Sequence, residues 1–208
     1  MKKSKRIKKS NSWRIKQNRD QYIKKSKTLG YRSRASFKLI EINKKFRFIK
    51  KNTNILDLGS CPGGWSQVAS EIIKTGKIMS LDIKEMEPIK NSKFIKGDIL
   101  KEKTKNQVIH FFGSNLDVII SDMAADTTGN KSLDSIRTNL LCSEVIKFSK
   151  KTLKPKGVLV SKVFMGEDFI EVKNLAKSVF KKVNFFKPES SRKESKETYL
   201  HCEILKSL

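Results

Sequence analysis

The sequence predicts an α/β fold that is built on a doubly wound, mostly parallel β-sheet. From residue 52 onwards, short β-rich runs alternate with helical stretches, which is typical of a parallel sheet whose crossovers are helices. A length of 208 residues fits one domain with an appendage, and an apolar content of 37% is enough to bury a core. We therefore divide the chain into a basic N-terminal region, residues 1–50, and a main domain, residues 51–208.

The N-terminal region is predicted to combine an arm with a docked helix. Residues 1–27 are basic and polar, with almost no hydrophobic periodicity, and carry Trp13 and Tyr22 among the charges. We interpret them as an arm that is helical on a phosphate backbone, with a solvated tail as the alternative for the first ten residues. Between residues 33 and 49, apolar side chains at helical spacing predict an amphipathic helix on the main domain: Leu39, Ile42, Phe46 and Ile49.

The main domain is predicted to contain alternating strands and helices that end in an antiparallel pair. No internal repeat or low-complexity linker divides it, so we expect a single sheet. The pattern predicts strands over 54–58, 77–82, 94–95, 116–121 and 158–163, helices over 65–74, 138–153 and 168–180, and a closing antiparallel pair over 183–186 and 198–205.

The charge of the chain favours a polyanionic partner. Lysines and arginines number 46 against 21 Asp plus Glu, a formal net charge of +25, and residues 1–50 contribute 19 basic and two acidic side chains. A skewed genomic base composition would explain a general excess of lysine, but not its concentration in the first quarter. We therefore expect nucleic acid as the partner. A membrane surface is disfavoured because the basic segment carries few large apolar anchors.

Two further features limit the classes of protein to which the chain can belong. No apolar run approaches the roughly 20 residues of a membrane span, and the basic N-terminus lacks the apolar segment of a secretory signal, so we expect a cytoplasmic protein. The three cysteines, Cys61, Cys142 and Cys202, lie far apart, and the chain has only two histidines. This set indicates neither a disulfide framework nor a metal site.

The strongest local signal is the glycine-rich turn Asp57–Trp65, which follows the first predicted strand and opens a helix. Its spacing differs from the GxGxxG pattern of dinucleotide sites, and the chain has no GxxxxGK[ST]. Asp82 ends the second strand, where a carboxylate can accept both hydroxyls of an adenosine ribose, and Asp98 follows the third. Such positions meet at one sheet edge and fit S-adenosylmethionine. An ordinary strand-to-helix turn is the alternative for Gly63 and Gly64 taken alone.

Five stretches in a fixed order make the sequence resemble a known family. They are YRSRASFKL at 31–39, DLGSCPGGWSQ at 57–67, SDMA at 121–124, VSKVFMGE at 160–167 and SRKESKETY at 191–199. Together they are similar to the FtsJ/RrmJ (RlmE) family of ribosomal RNA 2′-O-methyltransferases, over nearly the whole chain. The resemblance implies a seven-stranded, Rossmann-like class I methyltransferase fold with S-adenosylmethionine as the methyl donor and no metal.

The resemblance also implies site residues. It carries a catalytic set over to Lys38, Asp122, Lys162 and Glu197, and cofactor-binding positions to Gly63, Trp65, Asp82, Asp98 and Asp122. The family usually has proline after SDMA, where this chain has Ala125 and Asp126, so the rim of the substrate cleft is expected to differ.

A ribose 2′-hydroxyl is a weak nucleophile, so the enzyme must align it with the methyl group and remove its proton. Lys162 is the candidate general base, since a lysine inside a buried parallel strand is costly unless it is used. Asp122 would position Lys162 and the sulfonium, while Glu197 would orient Lys38 or the ribose. Taken singly, the other three have ordinary alternatives: Lys38 as a solvated helix lysine, Asp122 as a turn cap and Glu197 as a surface residue.

The function that follows is 2′-O-methylation of large-subunit (23S) ribosomal RNA by a monomeric enzyme. The resemblance implies a uridine of the peptidyl-transferase A loop, in nearly assembled 50S subunits. A tRNA 2′-O-methyltransferase is the nearest alternative, because that activity shares the same four residues in the family. A non-catalytic RNA-binding assembly factor is the alternative from another class, and the intact catalytic set argues against it.

Overall fold

A computed structural model of the chain describes residues 20–113 and 116–206. The helices and strands follow one another largely as the alternating pattern predicts. The helices are α1 (Gln21–Thr28), α2 (Ala35–Phe46), α3 (Gly64–Ile72), α4 (Glu102–Phe112), α5 (Lys131–Thr152) and α6 (Phe169–Val179). The strands are β1 (Ile55–Leu58), β2 (Ile78–Asp82), β3 (Ser92–Lys96), β4 (Leu116–Ser121), β5 (Leu153–Phe164), β6 (Phe180–Phe186) and β7 (Glu197–Leu205).

The strands form one seven-stranded sheet in the order β3-β2-β1-β4-β5-β7-β6. All neighbours are parallel except β7, which runs antiparallel to both β5 and β6. The strand order reverses next to β1, whose two neighbours are β2 and β4. In such sheets, ligands bind outside the carboxyl ends of the strands at the reversal. The predicted fold class is confirmed, and its topology locates the site.

Hydrophobic side chains cover both faces of the sheet, as expected for a sheet of parallel strands. On one face, α2 and α3 supply a cluster that includes Leu39, Ile42 and Trp65. On the other face, α4, α5 and α6 pack their apolar stripes on the sheet. Leu39 and Ile42 are both fully buried, which confirms the docked helix that their spacing predicts.

The N-terminal region differs from the prediction. Residues 1–19 of the predicted arm lie outside the described part of the chain. Residues 21–27, assigned to the same arm, belong to helix α1, which Asp20 caps by accepting a hydrogen bond from the Tyr22 backbone N–H. The Tyr22 ring lies 5.4 Å from the ring of Phe37 on α2. Tertiary packing thus orders a segment whose own sequence shows no clear apolar stripe.

One helix was not predicted, and another begins earlier than predicted. The sequence analysis assigned no element to residues 102–112, which form α4 with Thr104, Val108 and Phe112 buried one turn apart. Helix α5 begins at residue 131, seven residues before the predicted start at 138, because Asn130 caps it by accepting hydrogen bonds from two backbone N–H groups. Within the described ranges, no helix is both long and apolar enough to cross a membrane.

Candidate active site

The carboxyl ends of β1, β2, β4 and β5 bring the predicted site residues to one edge of the sheet. The glycine-rich turn follows β1, and Asp82 is the last residue of β2. Asp122 follows β4 directly, while Lys162 lies near the end of β5. Parallel pairing of adjacent strands is what places these four features side by side.

The glycine-rich turn requires glycine at two positions. Gly59 and Gly63 have φ angles of 72° and 108°, in the left-handed region that L side chains rarely adopt. A Cβ on Gly59 would also lie 2.6 Å from Cγ of Met123. Asp82 braces the turn, since its Oδ2 accepts a hydrogen bond of 2.8 Å from the Cys61 backbone N–H. Its Oδ1 accepts a second from the Lys84 backbone N–H.

Arg32 closes the outside of this turn, a role that the sequence analysis did not assign. Its guanidinium donates to the carbonyl oxygens of Pro62 at 3.3 Å, Glu87 at 2.5 Å and Pro88 at 2.8 Å. One side chain therefore ties the glycine-rich turn to the loop that follows β2. The signal was present in the YRSRASFKL stretch, where Arg32 lies six residues before Lys38.

Lys162 and Asp122 form a buried ion pair. The Lys162 Nζ lies 2.8 Å from Asp122 Oδ1 and also donates to the Asp122 backbone carbonyl at 2.7 Å. Burial by itself would raise the pKa of Asp122, but the Lys162 and Lys38 charges and the hydrogen bonds from Lys162 and Tyr199 bring that pKa below its ordinary value. The carboxylate is therefore ionised throughout the neutral range and holds the ammonium group in one orientation.

Lys38 and Glu197 form a second buried ion pair beside the first. The Lys38 Nζ lies 2.8 Å from Oε1 and 2.9 Å from Oε2 of Glu197, and both residues are less than 10% exposed. The Ser191 hydroxyl donates to Glu197 Oε1 at 2.8 Å. These contacts join helix α2 to the start of β7 across 159 positions of the sequence. The structure thus brings all four predicted catalytic residues together as two pairs.

Tyr199 links the two pairs, and the sequence analysis missed it. It is the cross-strand neighbour of Lys162, and its hydroxyl donates to Asp122 Oδ1 at 2.6 Å. The Lys38 Nζ lies 5.8 Å from the centre of its ring. Burial, followed by the nearby carboxylates, raises the pKa of Tyr199 well above the ordinary range, so the hydroxyl stays protonated and remains a donor. Its position at the end of SRKESKETY was the available signal.

The remaining predicted cofactor residues fall around the glycine-rich turn. The Trp65 side chain is 2% exposed and donates its indole N–H to the Ala35 carbonyl at 2.8 Å, so it packs in the core. Its backbone lies in the first turn of α3, which no side chain of the N-cap residue caps. Asp98 follows β3 and accepts a hydrogen bond from the Leu100 backbone N–H. Gly63 is the N-cap of α3.

Asp57 is a buried carboxylic acid inside β1 that no prediction included as a site. Its Oδ2 accepts a hydrogen bond of 2.6 Å from the Ser66 hydroxyl, while its Oδ1 has no hydrogen-bond partner among the described residues. Burial raises the pKa of Asp57 to about 7, and the charges of Asp122 and Asp82 add to the shift. The described residues contain no cluster of three or more His, Cys, Asp and Glu that could hold a metal ion.

Comparison with known proteins identifies the family. A family model described as FtsJ-like methyltransferase matches residues 31–204. The Ribosomal RNA large subunit methyltransferase E of Pelagibacter ubique is 46% identical over 197 residues, which cover 95% of this chain and 97% of that protein. The protein of the same name from Rickettsia akari is 45% identical, over 94% of this chain and 89% of that protein.

Solved structures agree with this result. A Plasmodium falciparum protein described as a ribosomal RNA methyltransferase superposes with a TM-score of 0.76 at 34% identity, covering 84% of this chain and 98% of that chain. Human Methyltransferase-like protein 13, solved in complex with SAH, has a TM-score of 0.58 at 15% identity, over 81% and 79% of the two chains, and shows the fold alone. The fold is that of the class I methyltransferases, and the chain belongs to the FtsJ-like methyltransferase family.

Proposed function

We propose that this protein transfers a methyl group from S-adenosylmethionine to a ribose 2′-hydroxyl of large-subunit ribosomal RNA. We propose further that the target is a uridine of the 50S subunit and that the enzyme acts in the cytoplasm as a monomer. The observation that carries the proposal is the pair of buried lysine–carboxylate contacts, Lys162–Asp122 and Lys38–Glu197, beside the glycine-rich turn. The names of the relatives support large-subunit ribosomal RNA as the substrate.

The residues at the sheet edge fit an adenosine-bearing donor. Each oxygen of Asp82 accepts one backbone N–H, so lone pairs remain on both oxygens for the two hydroxyls of a ribose. Gly63 is the N-cap of α3, and Asp98 lies one strand further along the same edge. The donor supplies an electrophilic methyl group on its sulfonium. Asp122 would face that positive charge as an ionised carboxylate.

Lys162 is the residue that would accept the proton of the 2′-hydroxyl. A general base needs a free lone pair on the atom that takes the proton, which here is the Lys162 Nζ. Asp122 holds the Lys162 Nζ in place at 2.8 Å, and the Tyr199 hydroxyl holds Asp122 by donating to its Oδ1 at 2.6 Å. Lys38, held by Glu197, would bind the ribose oxygens and orient the hydroxyl towards Lys162.

The basic N-terminal region would bind the RNA backbone. Residues 1–50 contribute +17 of the net charge of +25, and the same region carries Lys38 on α2. Placing a catalytic side chain and the phosphate-binding charges on one segment would couple RNA binding to assembly of the site. This is the reason for treating residues 1–50 as a functional unit within the fold.

The deciding experiment supplies labelled S-adenosylmethionine with isolated large ribosomal subunits, protein-free ribosomal RNA or tRNA, followed by nucleoside analysis. We expect label in a 2′-O-methyluridine of the large-subunit RNA. Label in tRNA alone would replace the substrate with the alternative, and RNA binding without any label would favour a non-catalytic assembly factor.

The donor site is tested separately with Asp82→Ala. Loss of the hydrogen bonds to its carboxylate is expected to weaken S-adenosylmethionine binding by about 1.5–3 kcal/mol, measured by calorimetric titration. Asp117→Ala, at the opposite edge of the sheet, is the matched control. Unchanged donor affinity in a folded Asp82→Ala protein would remove this residue from the site.

A further inference from the structure

An open recess of about 530 Å³ borders the Lys38–Glu197 pair. It lies between the end of β5, the start of α6 and the end of β6. Its floor is apolar and its rim is basic, and Glu197, the first residue of β7, belongs both to the recess and to the ion pair. The lining side chains that matter are Met165, Phe169, Phe185, Lys187 and Lys196.

Two aromatic side chains that line the recess, Phe169 and Phe185, are partly buried against the main hydrophobic cluster. The rings of Phe169 and Phe185 lie 4.9 Å apart and are tilted by 58°. Met165 at the mouth is 48% exposed, although it follows directly on a buried strand. Aromatic and apolar side chains that line an open recess offer a surface on which a planar ring can pack.

The rim of the recess is positively charged. The loop over residues 187–196 carries four basic side chains against two acidic ones. The Lys187 ammonium donates to the carbonyl oxygens of Lys193 at 3.4 Å and Ser195 at 2.7 Å, which fixes the loop at the rim. The one carboxylate in the lining, Glu197, is neutralised by Lys38. An aromatic floor with a cationic rim matches a nucleobase with its phosphate.

We propose that this recess binds the base of a nucleotide next to the methylated one, stacked on Phe169 and Phe185. The inference rests on the proposed function, because it takes the reacting ribose to lie at Lys162 and Glu197. The recess borders the same Glu197, so the neighbouring nucleotide of a single strand arrives at its mouth. Stacking accepts every base, so the recess anchors an unpaired RNA strand without selecting its sequence.

The test uses the full chain with Phe169→Leu, which keeps an apolar side chain but removes the ring. We expect the KM for large ribosomal subunits to rise about 5- to 150-fold, the effect of losing one base–aromatic stack, with kcat and donor affinity unchanged. Phe169→Tyr keeps the ring and is expected to behave like the unmodified protein. Ile170→Ala, a 64% exposed neighbour that does not line the recess, is the matched control and should change nothing.

A second measurement needs no methyl transfer. The same variants are titrated with a single-stranded RNA oligonucleotide that carries 4-thiouridine, and photo-crosslinks are mapped by mass spectrometry. We expect crosslinks within residues 165–169 or 185–187 and weaker binding only for Phe169→Leu. If no RNA is methylated by the unmodified protein, the proposed function fails while this measurement still decides about the recess.

Three results would overturn the recess proposal. One is unchanged KM and oligonucleotide affinity in a folded Phe169→Leu protein. Another is an equal loss with Ile170→Ala, which would indicate a broad apolar docking face. The third is a loss on assembled subunits but not on the oligonucleotide, which would assign the recess to a protein partner.

Discussion

Two sets of buried ionisable groups among the described residues differ in their partners. At the carboxyl edge of the sheet, the ammonium groups of Lys38 and Lys162 each lie 2.8 Å from a carboxylate. By contrast, Asp57 and His201 are at most 1% exposed and keep buried polar atoms without a hydrogen-bond partner among the described residues. Pairing keeps the Asp122 carboxylate ionised at the candidate active site, whereas burial shifts Asp57 and His201 towards their neutral forms.

The two unpaired groups, Asp57 and His201, differ from the paired set in their charge near neutral pH. Burial raises the pKa of Asp57 to about 7 and lowers that of His201 to about 4, so both are largely or partly uncharged near neutral pH. The His201 ring instead stacks on Phe46, with ring centroids 3.8 Å apart. A buried charge that loses its partner is strongly destabilising. Removal of either partner of a buried ion pair at the sheet edge is therefore expected to destabilise the fold.

The largest effect is expected from removing the candidate base. Lys162→Ala should lower methyl transfer by about 10²–10⁴-fold at saturating donor and RNA, because general-base catalysis contributes that much. Lys162→Arg should fail as well, since a guanidinium keeps its proton at any working pH. Lys154→Ala is the control, because Lys154 lies on β5 like Lys162 but pairs at a partly exposed position with Asp117 of β4. Near-normal turnover by the arginine variant would reduce Lys162 to an electrostatic role.

The second effect concerns the stability of the other pair. Glu197→Gln leaves Lys38 buried without its full counter-charge, and breaking a buried pair in this way costs about 3–5 kcal/mol in the free energy of unfolding. Breaking the more exposed Lys154–Asp117 pair should cost about 0–1 kcal/mol. Urea unfolding of Glu197→Gln and Lys154→Ala measures both losses in the free energy of unfolding. Equal losses would contradict the distinction between a buried and a partly exposed ion pair.

The third effect is a pH dependence of stability that comes from Asp57. Its pKa is about 7 in the fold and 3.8 ordinarily, so the folded state holds the extra proton and loses stability as pH rises through this window. Asp57→Asn removes this loss. The free energy of unfolding of the variant, relative to that of the unmodified protein, should therefore rise by up to about 1.4 kcal/mol per pH unit between pH 4 and pH 7. A pH-independent difference in urea unfolding would show that the acid is ionised throughout.

The fourth effect has the opposite sign and comes from His201. Burial lowers its pKa from 6.5 to about 4, with Glu203 opposing the shift, so the unfolded state binds the extra proton and stability falls as pH drops through this window. The stability of His201→Leu relative to the unmodified protein should therefore increase as the pH falls below 6. His110→Leu, at an exposed position on α4, is the control for loss of a histidine. Parallel stability curves for His201→Leu and the unmodified protein would contradict a neutral buried ring.

Local pattern alone determined most of the fold. The alternation of elements predicted the α/β class, and the spacing of Leu39 and Ile42 predicted the buried face of α2. Lys162 was singled out because burying a lysine in an apolar strand is energetically costly unless the side chain has a function. The fold class and the buried face of α2 could be predicted because each depends on residues within one or two turns or on the two faces of one strand.

Which side chains contact one another across the sheet could not be predicted from local pattern. The Lys38–Glu197 and Tyr199–Asp122 contacts join positions 159 and 77 residues apart, and strand register sets them. Helix α4 was missed because its stripe of Thr104, Val108 and Phe112 is interrupted by polar and charged residues. Periodicity states which face of an element is buried, but not what it packs against, because long-range partners depend on how the sheet is ordered.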